Sequence, residues 1–473
     1  MKKKKIFIII NYDLYLKNFI FNNSFKEIQK KYDCCYLFDE NLKKNSFASI
    51  KSIVKKIGKK KFLGFFNYPK KDQFLFRWLF NRQQWKNLDK FKNIRYFKDE
   101  YLRFKFFYPY EKDKKTLYLG FKRLALQLIK LINYYFNIIF RFEFIDKVIS
   151  NKINTNSTIL KLIKKHNPKV ILIPFSGSHL SIFDTIRISK KLKSFKTYLI
   201  SENWDNLFSR YFLQDHPDYV GVWGNQSKKA LKIHKFNDKN SFILGSARNQ
   251  IFFDKRNKKD KKIYNFSYAS YFDFALTDKS DLEKTLFTID EHITNNKNFY
   301  KNFKVIYRPH PYPFKKDLKI LDFQKYKNII LDPNMKSRYS YNISNKLVDD
   351  SEYLLNMIKN SKFIICAPTS QTIEASIFHK RIIFYDPPME SSKNKGEALV
   401  DDWEHFNGVK KLDNIEYCRS IDQVIKKFEN MFQKDKKLAN SKIDKQLSYI
   451  LFNDKKNYGT RLLDSLTKVI FSN

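Results

Sequence analysis

The sequence predicts an α/β protein built from two doubly wound domains in tandem, with a helical insertion in its N-terminal half. Three observations predict it. Apolar runs such as VILIPF (170–175) and IIFY (382–385) do not alternate with polar residues, which marks strands buried on both faces of a parallel sheet. Segments with helical spacing separate those runs, as a βαβ rhythm requires. The rhythm breaks once, at DKRNKKDKK (254–262), where every residue but Asn257 is charged, and then restarts.

Length agrees with two domains. At 473 residues the chain is too long for one ordinary core, and 43% hydrophobic residues supply two. The elements follow in order. KIFIII (5–10) is a first strand, because five apolar residues before Asn11 are too few for the core of a secretion signal. A helical segment runs through Phe25–Ile28, and CCYLF (34–38) is the next strand. Residues 75–150 carry no strong strand signal and form the insertion. Within it Leu117, Phe121, Leu124, Leu128, Leu131, Tyr135, Ile138, Phe142 and Ile145 recur at spacings of three and four, with Lys122, Lys130 and Arg141 off the stripe. That stripe packs on its own domain or lies on anionic lipid, and the spacing fits both.

Strands then follow at 170–175, 197–200, 219–223 and 242–244, with helices at 182–193 and 226–234 between them. After the charged linker, strands are expected at 264–267, 304–307, 363–367 and 382–385, and the polar stretch 336–350 is a loop. The first domain is thus 1–253 and the second 263–473.

A formal net charge of +44, from 92 Lys+Arg against 48 Asp+Glu, on its own suggests nucleic acid or an anionic membrane. The same chain has 47 Phe and 29 Tyr but 10 Gly, about a third of what roughly 7% usage would give. Residues with A/T-rich codons are in excess throughout, so codon bias accounts for much of the lysine. No zinc-finger spacing and no aromatic RNA-binding motif accompanies the charge, and nucleic acid is not an expected partner. The four cysteines show no metal-ligand spacing and suit a reducing compartment, and no apolar run reaches the roughly 20 residues of a membrane span. A cytoplasmic protein without a metal site is expected.

In open α/β sheets ligands bind beyond the carboxyl ends of the strands. Four polar loops fall at such ends: SGSH after Phe175, SENWDN after Ile200, RPHP after Tyr307 and APTSQTIEAS after Cys366. Arg308 offers a permanent cationic fork suited to phosphate, and His310 can donate to a phosphate or exchange a proton. Pro309 and Pro311 restrict the backbone that presents them. Thr369 or Ser370 is placed to cap a helix starting near Gln371, whose amides would face an anion. Glu374 lies one turn inside that helix, where a carboxylate can accept from ribose hydroxyls. On the first domain Ser176, His179, Asp184, Trp204 and Asp205 are candidates for the acceptor side, with His179 and Asp205 as acid–base groups and Trp204 as a platform for a sugar ring. His179 also reads as a helix cap, and Asp205 as an Asx-turn.

These segments resemble two bacterial families. RPHP with TSQTIEASIFHKRIIFYD is similar to the CDP-glycerol glycerophosphotransferases. ENWDNL (202–207), VWGNQSKKA (222–230), GSAR (245–248), EHF (404–406) and YCRSIDQVIKKF (417–428) resemble GT-B glycosyltransferase-like proteins of surface polysaccharide synthesis. Gln250 stands where the glycerophosphotransferase pattern has Asp, and Glu374 where it commonly has Asp, which favours sugar transfer. The resemblance implies two Rossmann-like domains, GT-B-like, with the nucleotide in the second and the last helix returning to the first.

It also implies transfer of a sugar from a nucleotide-sugar to a glycan or lipid-linked acceptor, at the inner face of the plasma membrane, with no cofactor beyond the donor substrate. Polyol-phosphate transfer from CDP-glycerol is the alternative enzyme, and a basic scaffold on membrane or polyanion the alternative without catalysis.

Overall fold

The computed structural model describes residues 3–45, 49–86, 143–209, 211, 215–258, 261–273, 279–310, 322–335, 351–387, 403–433 and 439–472. They form two all-parallel sheets covered by helices on both faces. The first sheet contains β1 (Lys5–Ile10), β2 (Asp33–Asp39), β3 (Phe62–Phe66), β4 (Val170–Phe175), β5 (Lys196–Ser201), β6 (Tyr219–Val222) and β7 (Ser241–Ile243), in spatial order β3-β2-β1-β4-β5-β6-β7. The second contains β8 (Ser267–Phe272), β9 (Phe303–Arg308), β10 (Ile329–Leu331), β11 (Ile364–Cys366), β12 (Ile382–Tyr385) and β13 (Ile415–Cys418), in the order β10-β9-β8-β11-β12-β13. Both are doubly wound, so the α/β expectation holds. The central strands are apolar on both faces because helices cover both, which is why they read as unbroken runs.

The differences from the sequence reading have local causes. β8 starts at Ser267, where the predicted strand ends, because Tyr264 and Phe266 stack on each other at 4.9 Å outside the sheet. Its polar Ser270 is fully buried and is satisfied by the Ser361 hydroxyl at 2.7 Å, so polarity there was no sign of solvent. Three strands gave no signal: β3, β10 and β13. Each is the outermost strand of its sheet. β10 is only three residues long, β13 (IEYC) carries Glu416 within its run, and β3 is interrupted by Gly64 at φ +110°, whereas the remaining edge strand, β7, is the one expected at 242–244.

Of the insertion, helices Lys70–Lys86 and Glu143–Lys152 are described. A buried ion pair joins them, Arg82 Nε donating to Asp146 Oδ1 at 2.6 Å, with Gln83 Nε2 donating to Asp146 Oδ2 at 2.9 Å. The 117–149 stripe falls outside the described residues up to 142, as does the loop at 336–350. Among the described residues no helix is long and apolar enough to cross a membrane. Part of the charged linker is anchored: Lys359 Nζ donates to the carbonyls of Lys255 and Lys258, and Arg256 pairs with Asp444 at 2.8 Å.

The chain returns to the first sheet at its end. Helix Tyr458–Phe471 buries Leu462, Leu466 and Val469 against Ile6, Ile8, Val170 and Leu172, and Tyr198 Oη donates to Ser465 Oγ at 2.8 Å. On the way Phe452 N donates to Trp223 O at 2.9 Å and Arg461 Nε to Leu244 O at 2.7 Å. Gly245, at φ +76°, lies directly against Phe452 O, so both the backbone angle and the lack of a side chain are required there.

Candidate functional site

Strand order reverses between β1 and β4 in the first sheet and between β8 and β11 in the second. These are the switch points beyond which doubly wound sheets bind ligands. After β1 come Asn11 and Asp13, after β4 Ser176 to His179, after β8 Asp273, and after β11 Thr369 and Ser370. The topology therefore brings SGSH and APTSQTIEAS to the two switch points, while SENWDN and RPHP lie at the ends of β5 and β9, one strand away in each sheet.

On the first domain, Tyr15 Oη donates to Ser176 Oγ at 2.9 Å and also contacts Ser176 N. Burial pushes the Tyr15 phenol well above its usual range, so it stays a donor. His179 is the N-cap of helix Leu180–Leu192: its Nδ1 accepts from Ser181 N at 3.2 Å and contacts Ser181 Oγ at 2.9 Å. Ser181 Oγ in turn accepts from Asn11 Nδ2 at 2.8 Å. With Nδ1 accepting a backbone N–H, the ring proton of neutral His179 belongs on Nε2, which lies 3.9 Å from Asp39 Oδ2. Although 36% of its side chain reaches solvent, desolvation of the ring pushes its pKa down to about 4, and protonation would also break the Nδ1 cap. Burial raises the Asp39 pKa. His179 thus has the capping role and stands beside a carboxylate.

Two acceptor-side expectations are corrected. Trp204 offers no open ring face to a sugar: it is 3% exposed and meets the His405 and Phe406 rings edge-on at 4.8 and 5.1 Å. The reason is its place between the domains, where residues of the second cover it. Asp184 is fully buried, accepting from Tyr68 Oη at 3.2 Å, Asn156 N at 2.9 Å and Arg187 Nη2 at 3.0 Å, which makes it a tether for the insertion. Asp205 is half-buried at the start of the short helix Asn206–Ser209. Glu202, inside the quoted SENWDN but not singled out, is a buried carboxylate at the end of β5 that accepts from Asn18 Nδ2 at 2.7 Å.

On the second domain, Arg308 ends β9 and is almost fully buried in an ion pair with Asp332, which is 0% exposed. Asp332 follows the edge strand β10 that the sequence did not reveal. Arg308 is therefore anchored by a carboxylate rather than projecting as an isolated fork, while His310 lies two residues further along the same edge. Tyr307 Oη donates to Asp273 Oδ2 at 2.8 Å. The expected side-chain cap at Thr369 or Ser370 is absent. Ser370 occupies the N-cap position of helix Gln371–Ile377 without a side-chain bond, and Thr369 Oγ1 lies 3.3 Å from Cys366 Sγ. A tight backbone turn takes over, with the amides of Thr372 and Ile373 bonded to the carbonyls of Thr369 and Ser370. Gln371 is half-buried at the first position of that helix.

Glu374 is the residue where the two edges meet. It is 5% exposed, and its Oε1 accepts from Nη2 of Arg248, on the loop after β7, at 2.8 Å. Its Oε2 is buried with no hydrogen-bond partner. Desolvation raises the Glu374 pKa, opposed by Arg248, Lys17 and Arg308 in turn. Arg248 also lies over the Trp223 ring at 5.7 Å.

The motifs behind the resemblance are largely the contacts between the domains. ENWDNL supplies Trp204, EHF supplies the rings that cover it, and Gln226 of VWGNQSKKA bonds to His405 O. GSAR supplies both Gly245 and Arg248.

No family model matches the chain, and no curated protein matches it. Solved structures match over nearly its full length. The UDP-GlcNAc 2-epimerase from Neisseria meningitidis, bound to UDP-GlcNAc, aligns with TM-score 0.52 at 9% identity, covering 98% of this chain and 100% of that one. The Methanocaldococcus jannaschii UDP-GlcNAc 2-epimerase in complex with UDP-GlcNAc and UDP gives 0.50 at 15% identity, covering 98% and 99%. The glycotransferase of kitacinnamycin gives 0.50 at 8%, covering 99% and 100%. The likeness is one of fold. It is the paired arrangement of Rossmann-like domains expected from the GT-B resemblance, and it does not single out the glycerophosphotransferases.

Proposed function

We propose that the protein is a sugar-nucleotide enzyme that transfers the sugar to a surface-glycan acceptor, with the nucleotide at the β8/β11 switch point. The observation that carries the reading is Glu374, a buried carboxylate at the junction of both strand edges with one oxygen still open to a donor. Ribose hydroxyls are such donors. The solved neighbours named above, two of them bound to UDP-GlcNAc, lend support to a nucleotide-sugar as partner. His310 would meet the charge that develops on the departing phosphate, and the His179–Asp39 pair is the acid–base unit on the acceptor side.

The acceptor is lipid-linked in this reading, and the enzyme works at the inner membrane face. Supporting it, Phe74 and Trp78 on helix Lys70–Lys86 and Phe144 on helix Glu143–Lys152 are exposed apolar side chains, Phe74 within one turn of Lys70 and Lys71. A second reading, epimerisation of the bound sugar, is favoured by Glu202, a further buried carboxylate on the first-domain edge.

The test is incubation with UDP-, GDP-, CDP- and ADP-sugars and CDP-glycerol, with a lipid-linked glycan, in deuterated water. Sugar mass added to the glycan with release of a nucleoside diphosphate supports transfer. Deuterium in an inverted sugar without transfer supports epimerisation, and glycerol phosphate on the acceptor would replace both.

A further inference from the structure

The Arg248–Glu374 pair is incompletely bonded. Both groups sit at the domain junction, with side chains 19% and 6% exposed, and they share one contact at 2.8 Å. An Arg–carboxylate pair can form two parallel bonds. Here Glu374 Oε2 and Arg248 Nε are both buried without a partner. The neighbouring Asn249, 0% exposed, likewise leaves its Oδ1 and Nδ2 unbonded. Such a pair adds little stability, because two desolvated charges compensate each other through a single bond. The open positions define what would complete it: hydroxyl donors for the carboxylate and an anionic acceptor for the guanidinium. A nucleoside diphosphate carries both, a vicinal diol and a phosphate chain.

We infer that Arg248 is a donor-binding residue supplied by the first domain, held on Glu374 until a nucleoside diphosphate arrives. The ribose diol then takes the carboxylate and Arg248 turns to the phosphates. Arg248 exchanges one anion for another, while Glu374 exchanges a cation for two neutral hydroxyl donors and keeps Lys17 and Arg308 as the other cations acting on it. The exchange ties the ligand to both domains at once, and it makes the phosphate the group that frees Arg248. A nucleoside lacking phosphate has to compete with Arg248 for Glu374 and offers it nothing in return.

The inference rests on the nucleotide reading above and deepens it. The test is titration of wild type, Arg248→Ala and Arg248→Lys with UDP, GDP, CDP and ADP and, for the tightest of these, with its own nucleoside. In Arg248→Ala the nucleoside should bind as well as to wild type or better, while the diphosphate weakens. The preference for diphosphate over nucleoside should therefore shrink about tenfold or more, the measure of one charge-assisted hydrogen bond. Arg248→Lys should keep part of the preference. Retained nucleoside binding shows that the variant is folded. If wild type binds but the preference does not move, or both ligands weaken equally, the exchange is wrong and the nucleotide reading stands. If wild type binds none of the four diphosphates, both fall.

Discussion

Truncating Trp204 to alanine should cost stability rather than acceptor binding. The side chain is 3% exposed and fills the space between SENWDN and the EHF segment, with ring contacts at 4.8 and 5.1 Å. Removing a buried aromatic of this size costs about 3–5 kcal/mol. For a domain of this length each kcal/mol lowers Tm by about 2–4 °C, so a fall of about 6–20 °C is expected. Calorimetry on ligand-free wild type and Trp204→Ala reads the shift directly. The second domain should respond too, because His405 and Phe406 lose their cover. An unchanged Tm with selective loss of glycan affinity would refute the burial argument and restore the ring to a sugar-stacking role.

Asp332→Ala should destabilise the second domain by about 3–5 kcal/mol, because it leaves Arg308 buried without its carboxylate, and Arg308→Met in the same chain should recover most of the loss. Equal melting of the single variant and wild type would contradict the buried pair. His179 should titrate near 4 by NMR. Its folded pKa lies below the unfolded value of about 6.5, so the unfolded state binds the proton first; stability is full above that value and falls as pH drops from 6.5 toward 4. His179→Gln should flatten that fall, and an unchanged pH profile would count against it. Sedimentation with anionic vesicles should occur and weaken in high salt, with Phe144→Asp reducing it; binding indifferent to lipid charge and salt would oppose the membrane reading.

The central strands were legible because a sheet covered on both faces leaves an unbroken apolar run, as in VILIPF and IIFY. Short or interrupted edge strands were not: β10 is three residues long and β13 carries Glu416 in its run, and with β10 went its neighbour Asp332 and the true setting of Arg308. Two of the four polar loops, SGSH and APTSQTIEAS, fall at the switch points, and SENWDN and RPHP fall one strand away. Their individual side chains were harder to read, since Trp204 and Asp184 are buried by segments hundreds or tens of residues away and no local pattern records that. Arg248 stood in a quoted motif, GSAR, yet its partner Glu374 belongs to the other domain. Pairing across 126 positions is visible only once both sheets are folded.

The most direct test of the account is isothermal titration of wild type and Glu374→Gln with UDP, GDP, CDP and ADP. Wild type should bind one of them clearly tighter than the rest. Glu374→Gln should weaken that diphosphate and its nucleoside alike, by about tenfold or more, because the carboxylate addresses the ribose they share. No binding by wild type, or full affinity in Glu374→Gln, would contradict a nucleotide site at the second switch point.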